Sequence, residues 1–242
     1  MSGLPYLSLV LACYNEEEIL AESFRTIRET LDEMGRPYEI VFVDDVSRDR
    51  TREIIEGLRA AHPATVRAIF HEKNTGRGQT VTDGFRAARG AIAGFLDVDL
   101  EVHARYIPSL VKAIERGADV ATVRRIYAFQ VRSLDRYLMS RGYSFLVRRL
   151  LRVPVRDTET GYKFFRREKV LPVLDEIRDP GWFWDTEFMV RAIERGLRVE
   201  EIPGAYVRRG DKTSTVSGLR DSVRYFGKLV AFRRAMRAAR RT

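Results

Sequence analysis

The order of apolar runs in the first half of the chain constrains its fold more than any other feature. Short, nearly uninterrupted apolar segments alternate with longer segments of helical periodicity. YLSLVLAC (6–13), YEIVFVDD (38–45), VRAIF (66–70), AIAGFLDVD (91–99) and ADVATV (118–123) read as strands. Between them, 16–34, 49–61, 78–89 and 107–117 carry apolar residues at helical spacing, and Gly35-Arg36-Pro37 breaks the first of these. Strands that are apolar along their whole length, joined by helical crossovers, build a parallel sheet covered on both faces. The expected fold is therefore α/β, a mainly parallel central sheet flanked by helices. Ligands in such sheets bind beyond the carboxyl ends of the strands.

The second half is less regular. Residues 132–152 read as a helix with Leu134, Tyr137, Leu138, Phe145 and Leu146 among arginines, and 157–168 as a loop leading into a short strand. VLPVLDEI reads as a helix, 182–196 as a loop entering a helix, and 198–207 as an edge strand with a proline inside it. A basic helix over 217–241 closes the chain. With no repeat or flexible linker, the reading is one domain over 1–216 followed by a basic amphipathic segment, 217–242.

Composition narrows the class. The 242 residues are 45% hydrophobic and 32% charged, as in folded globular proteins. No run approaches the ~20 apolar residues that cross a bilayer, and the start of the chain lacks the basic region of a secretory leader. The single cysteine, Cys13, lies in an apolar run, so it is expected in the core of a cytoplasmic protein without disulfides. Three scattered histidines build no zinc site. A net charge of +9 asks for an anionic partner: nucleic acid, lipid headgroups or a phosphorylated small molecule.

Acids gather at the strand ends. Tyr14-Asn15-Glu16, Asp44-Asp45 and Asp97-Val98-Asp99 all fall at carboxyl termini of expected strands. Two carboxylates as close as Asp97 and Asp99 repel unless a cation lies between them, and hard oxygen ligands favour Mg²⁺ or Mn²⁺. Asp44 is placed to accept hydrogen bonds from a ribose or base, whereas Asp49 suits a helix cap. Asn74-Thr75-Gly76-Arg77-Gly78-Gln79 is a glycine-rich turn opening a helix, a place where phosphate can sit.

LSLVLACYNEEEIL, EIVFVDDVSRDRT, HEKNTGRGQTVTDGFRAARG and GFLDVDLEV resemble, in order and spacing, the family 2 glycosyltransferases, whose fold is the GT-A arrangement. RSLDRYLMSRGYSFLVRRLL, DTETGYKFFRRE, WFWDTEFMVRAIERG and EEIPGAYVRRGDKTSTV resemble the branch that makes polyprenyl-phosphate sugars, the dolichyl-phosphate mannose and glucose synthases. The resemblance covers about residues 6–230. It implies that Tyr14, Glu16 and Asp44 hold the base and ribose of a GDP- or UDP-linked hexose. It implies Asp97 and Asp99 as ligands of Mg²⁺ or Mn²⁺, with Glu101 a further candidate. Arg124, after the strand that follows the metal motif, would face the phosphates, as would Arg208, Arg209 and Lys212 in the late basic loop. Such cations neutralise charge on the leaving diphosphate. The implied reaction inverts the anomeric centre by in-line displacement. A phosphate acceptor needs no strong base, while a hydroxyl acceptor needs a carboxylate, for which Asp185 and Glu187 are candidates and Asp157 a weaker one. Departures from the family pattern are Ala12 for Pro, Val46 for Gly, Glu101 for Gln or His, and GDKTSTV in the late loop.

Three functions are weighed. One is transfer of a hexose to polyprenyl phosphate by a protein peripheral to the inner face of the membrane, with 217–241 lying on anionic lipid or simply packed on the domain. Another is glycosylation of a hydroxyl on a soluble small molecule. The third, nucleic-acid binding, is disfavoured because acids at the strand ends repel a phosphate backbone and the basic residues lack interleaved surface aromatics.

Overall fold

A computed structural model describes residues 3–127, 134–207 and 218–239. The elements are β1 (Leu7–Cys13), α1 (Leu20–Glu33), β2 (Tyr38–Asp44), α2 (Thr51–Ala61), β3 (Val66–Phe70), α3 (Arg77–Ala87), β4 (Ile92–Leu96), α4 (Ile107–Glu115), β5 (Val120–Tyr127), α5 (Leu134–Leu151), β6 (Tyr162–Arg166), α6 (Arg167–Leu174), α7 (Trp184–Glu194), β7 (Val199–Tyr206) and α8 (Gly218–Ala239). They form a seven-stranded sheet in the order β3-β2-β1-β4-β6-β5-β7. Every pairing is parallel except the two made by β6.

Side-chain alternation explains how the sheet is covered on both faces. Leu7, Leu9, Leu11 and Cys13 of β1 join one buried cluster with Phe24, Ile27 and Leu31 of α1 and Leu110 and Ile114 of α4. Val10, Val41 and Val43 point the other way, into a cluster with Phe85 of α3, Val170 of α6 and Phe188 of α7. The period of two along each strand thus feeds two cores. Cys13 is buried, as its apolar setting predicts.

The boundaries differ from the sequence reading where tertiary contacts intervene. The first helix starts at Leu20 rather than 16, because Glu16 N donates to Thr51 Oγ1 at 2.7 Å and Glu17 N to Asp49 Oδ2 at 3.1 Å. β4 stops at Leu96, so Asp97 and Asp99 lie in the turn beyond it rather than along one strand face. β5 runs on to Tyr127 because β7 pairs with it residue by residue from Val120↔Val199 to Tyr127↔Tyr206, so Arg124 sits inside the strand and not after it. β7 is an edge strand, where Pro203 loses no ladder bond on its open side.

β6 has the greatest consequence for the site. Running antiparallel between β4 and β5, it pairs Tyr162 with Leu96 and Lys163 with Phe95. The loop before it, residues 157–161, is thereby delivered to the carboxyl edge beside Asp97, whose N–H donates to Gly161 O at 2.9 Å. On the outside, α8 packs through Leu229 and Phe232, with the Phe232 ring 5.6 Å from Phe183 and Lys228 paired to Asp179. Among the described residues no helix is long and apolar enough to cross a membrane.

Candidate active site

The exits of β1 and β2 are tied together. The pair Cys13↔Asp44 ends both strands level. Beyond it, Asn15 N donates to Ser47 Oγ at 2.9 Å and Arg48 N to Asn15 Oδ1 at 2.8 Å. Asp44 is buried and accepts from the Ser47 hydroxyl and, at 3.3 Å, from Ser47 N, while Tyr14 is 43% exposed at the rim. Glu16 is half-buried at the same exit. Val46 takes φ +65, a left-handed conformation that costs a β-branched residue heavily and glycine almost nothing. Asp49 Oδ1 accepts from Thr51 N at 3.0 Å, but the cap position of α2 is Arg50, so Asp49 steadies the turn just before the helix instead of capping it.

Asp45 builds the next piece. Its carboxylate accepts from Thr75 N at 2.8 Å, Gly76 N at 2.9 Å and Thr75 Oγ1 at 3.0 Å, and faces His71 Nδ1 at 2.8 Å. Burial works against its charge, but His71 and these amides hold it below the usual carboxylate range. Gln79 N is taken by Pro180 O. The amides of 75, 76 and 79 are engaged in this way, which holds the start of α3 in place. Gly76, at φ +92, is required there, since a Cβ would stand 2.7 Å from Pro180 O.

That turn presents Arg77 as the first residue of α3. A cation at a helix N-terminus opposes the helix dipole, so side-chain partners must hold it. Its Nε and Nη2 donate to Asp97 Oδ1 at 3.1 and 2.6 Å, and its Nη1 donates to Asp185 Oδ2 at 2.7 Å. The guanidinium carbon lies 5.4 Å from the Phe95 ring centre and 4.9 Å from that of Trp182. Asp185, in the first turn of α7, is 2% exposed and also accepts from Lys163 Nζ at 2.5 Å. Lys163 is fully buried in β6, and removal from water draws its amine below the ordinary lysine range even though Asp185 opposes this. Asp97, Arg77, Asp185 and Lys163 thus form a neutral ladder of four charges, the arrangement that makes burial of such groups tolerable. Gly161 is indispensable beside it, because a Cβ would come 1.9 Å from Asp97 Oδ2.

Asp97 Oδ2 stays outside this ladder, and the Asp97 side chain is 42% exposed. Asp99 Oδ1 accepts from Glu101 N at 3.2 Å across a turn in which Leu100 has φ +52. Glu101 is drawn toward β7 by the Tyr206 hydroxyl, whose proton is held well above the ordinary tyrosine range by burial and by Glu101 itself. Among the described residues no three His, Cys, Asp or Glu side chains stand together as a metal cage. Two hard carboxylates with the remaining positions left to substrate oxygens is nonetheless the usual provision for Mg²⁺ or Mn²⁺ at phosphate, so the residues present fit such an ion.

A second cluster lies across β6. Arg125 grips Asp157 with Nε at 2.8 Å and Nη2 at 3.0 Å, and Glu159 stands 3.7 Å from the same guanidinium. Burial disfavours the Asp157 charge, but Arg125 outweighs it and brings that carboxyl down to about 2. Glu159 is pushed the other way, up to about 7, by loss of solvation and by the neighbouring Asp157 and Asp185 charges, which Arg125 only partly offsets. Next to this cluster, Arg124, Arg125, Arg148 of α5, Arg156 and the Ser144 side chain surround a pocket of about 190 Å³.

The sequence candidates separate accordingly. Arg77 joins Asp97 to Asp185, and Asp99 follows in the turn two residues beyond Asp97; Arg124 and Asp157 line one pocket a strand over; Tyr14, Glu16 and Asp44 stand at the exits of β1 and β2. Glu187 stands apart, its carboxylate accepting from Arg178 N at 3.1 Å, Asp179 N at 2.9 Å and Arg191 Nε at 2.8 Å. Arg208, Arg209 and Lys212 lie outside the described residues. Sequence reasoning passed over Arg77, Lys163, Glu159 and Trp182. Lys163 carried a usable signal, since a lysine inside the aromatic strand YKFF must find a buried counter-charge.

The profile of glycosyl transferase family 2 matches residues 8–171. A glycosyltransferase AglD from Haloferax volcanii is 36% identical over 210 residues, 85% of this chain and 34% of that protein. An undecaprenyl-phosphate 4-deoxy-4-formamido-L-arabinose transferase from Shewanella sediminis is 35% identical over 174 residues, 72% of this chain and 52% of its own length. The chain therefore spans from about a third to about a half of these curated relatives. In fold it is similar to glucosyl-3-phosphoglycerate synthase from Mycobacterium tuberculosis in complex with Mn²⁺, UDP-glucose and phosphoglyceric acid, with TM-score 0.70, 20% identity and coverage of 95% of this chain and 79% of that one. It is likewise similar to the mannosyltransferase PcManGT from Pyrobaculum calidifontis with GDP-Man and Mn²⁺, at TM-score 0.62 and 17% identity over 87% and 59% of the two chains. The architecture is GT-A-like.

Proposed function

This chain belongs to glycosyl transferase family 2, and on that footing we propose that it moves a hexose from a GDP- or UDP-linked donor to a polyprenyl phosphate at a membrane surface. The observation that carries the acceptor assignment is the arginine-lined pocket at the carboxyl end of β5. Four arginines and one carboxylate, Asp157, line it, and Arg125 already pairs with that carboxylate, which leaves Arg124, Arg148 and Arg156 as the excess of positive charge; arginine forks match the oxygens of a phosphomonoester. A relative whose name specifies undecaprenyl phosphate supports the same choice.

In this reading Tyr14, Glu16 and Asp44 hold the donor's base and ribose at the exits of β1 and β2. Asp97 and Asp99 would hold Mg²⁺ or Mn²⁺, which when bound supplies positive charge to the leaving diphosphate. Fold neighbours solved with Mn²⁺ and a sugar nucleotide support that assignment. Arg124, with Arg208, Arg209 and Lys212 of the late loop, would add cations around the phosphates. An acceptor phosphate oxygen attacks the anomeric carbon as the bond to the nucleotide diphosphate breaks on the opposite side, which inverts that centre.

No proton needs to be removed from such an acceptor, and the ion pairing supports this. Asp185 has both oxygens occupied by cations, Glu187 is engaged by two amides and Arg191, and Asp157 is locked to Arg125. A second reading, transfer to a hydroxyl of a soluble compound, draws on one observation: Glu159, lifted to about 7, has the proton affinity of a general base near neutral pH. Steady-state kinetics separate the two. Arg148→Ala is expected to raise the KM for a polyprenyl phosphate about tenfold or more, the loss of one charged hydrogen bond, with the donor KM unchanged. An Arg148→Ala enzyme with unaltered acceptor kinetics, together with loss of turnover in Glu159→Gln, would move the assignment to the hydroxyl acceptor.

A further inference from the structure

Arg77 does something a bare metal site would not need. It places two of its N–H groups on a single oxygen of Asp97 and the third nitrogen on Asp185, and it is flanked by Phe95 and Trp182. A guanidinium does not lose its proton in proteins, and these two carboxylates hold its charge still more firmly, burial notwithstanding. The opposite end of the ladder is anchored by Lys163, so Arg77 cannot swing away without leaving Asp185 half-satisfied in a buried position. The carboxylate that would bind the metal therefore already has a cation on it.

We infer that Arg77 is the resident counter-ion of Asp97 and makes retention of a divalent cation at this site conditional on the donor's diphosphate. This rests on the reading of Asp97 as a metal ligand. A dication on Asp97 Oδ2 shares one carboxylate with a permanent positive charge, and the repulsion lowers its affinity when the protein is alone. A nucleotide diphosphate brings negative charge and hard oxygens to the open positions, which offsets Arg77 and completes the coordination. Arg77 also fixes the carboxylate in advance: with Oδ1 held at 2.6 Å, Oδ2 lies outside the ladder, on the side of Gly161. In this way ordered binding, metal together with donor, follows from one residue that touches neither.

The test is Mn²⁺ binding followed by electron paramagnetic resonance, with and without GDP or UDP, on the wild-type chain, Arg77→Gln, Arg77→Lys and Asp97→Asn. Asp185 keeps Lys163 in the Gln variant and Asp97 is partly solvated, so the fold is expected to persist, checked by circular dichroism. The wild type should hold Mn²⁺ weakly alone and tightly with nucleotide. Arg77→Gln should bind Mn²⁺ alone about tenfold tighter or more once the like charge is removed, with little further gain on adding nucleotide. Arg77→Lys, which keeps the charge but loses the two-nitrogen grip, should fall between them; if Arg77→Gln does not fold, a Lys variant no tighter than wild type overturns the inference. Equal or weaker donor-free binding by Arg77→Gln, with Asp97→Asn abolishing the nucleotide-dependent signal, overturns the role of Arg77 while leaving the metal reading standing. Nucleotide-dependent Mn²⁺ binding that survives in Asp97→Asn overturns both.

Discussion

Two ion clusters share the carboxyl edge of the sheet, one on each side of β6, and they are built on different principles. In the first, Asp97, Arg77, Asp185 and Lys163 balance charge for charge, and Asp185 lies between two cations. In the second, Arg125 serves two carboxylates and satisfies only one of them: Asp157 is gripped at 2.8 Å, while Glu159 stands off at 3.7 Å with its proton affinity raised to about 7. In the proposed function the balanced cluster is the mount for the donor side. The unbalanced one sits beside the arginine-lined pocket, and Glu159 is where a pH response is expected.

Breaking the balanced cluster is expected to give the largest effect. Asp185→Ala leaves Lys163 fully buried without its counter-charge, and removing one partner of a buried pair costs about 3–5 kcal/mol. Urea unfolding measures it; a loss below about 1 kcal/mol, the scale of an exposed pair, would mean that the ladder is not the mount it is taken to be.

The unbalanced cluster should announce itself through pH instead. Glu159 is raised from 4.5 to about 7 in the folded chain, so between those values the native state holds a proton that the unfolded state has released. Stability from this group is therefore complete at acid pH and falls as pH rises through the window, opposite in sign to the contribution of Asp157. Glu159→Gln should flatten that fall while leaving the midpoint at pH 5 nearly unchanged. An identical slope in the variant would place the titration elsewhere.

The smallest effect lies outside both clusters, at the turn that carries Asp44. Val46→Gly relieves a β-branched residue from φ +65, which should raise stability by about 1 kcal/mol after the added freedom of the unfolded chain is subtracted. Thermal unfolding reads it directly. A drop in melting temperature would show that the Val46 side chain contributes more packing than its backbone loses.

Much of the first cluster's setting was legible in the sequence, and little of its interior. Apolar strands ending in acids announced β1, β2 and β4 and the place where Tyr14, Asp44 and Asp97 converge, because strand direction in a parallel sheet fixes which ends meet. The antiparallel insertion of β6 was not legible: KFF is as compatible with a parallel neighbour, and only the pairing with Phe95 brings Lys163 beneath Asp185. The partners of Arg77 were hidden for the same reason, lying 20 and 108 residues away along the chain. Val46 stood out only as a departure from the family's glycine until its φ of +65 showed what that glycine is for, and Gly161 read as an ordinary loop residue until a 1.9 Å approach gave it meaning.

The central claim is that the arginine-lined pocket takes a phosphate and not a hydroxyl. It is tested by offering the enzyme Mn²⁺ and a panel of GDP- and UDP-linked hexoses, with either a polyprenyl phosphate or the matching polyprenol in anionic vesicles, and separating lipid-linked sugar by thin-layer chromatography. The expected result is a glycosylated lipid phosphate from at least one donor, abolished by EDTA, and none from the polyprenol. Equal transfer to polyprenol, or transfer to a soluble hydroxyl compound with the lipid phosphate left untouched, would contradict it.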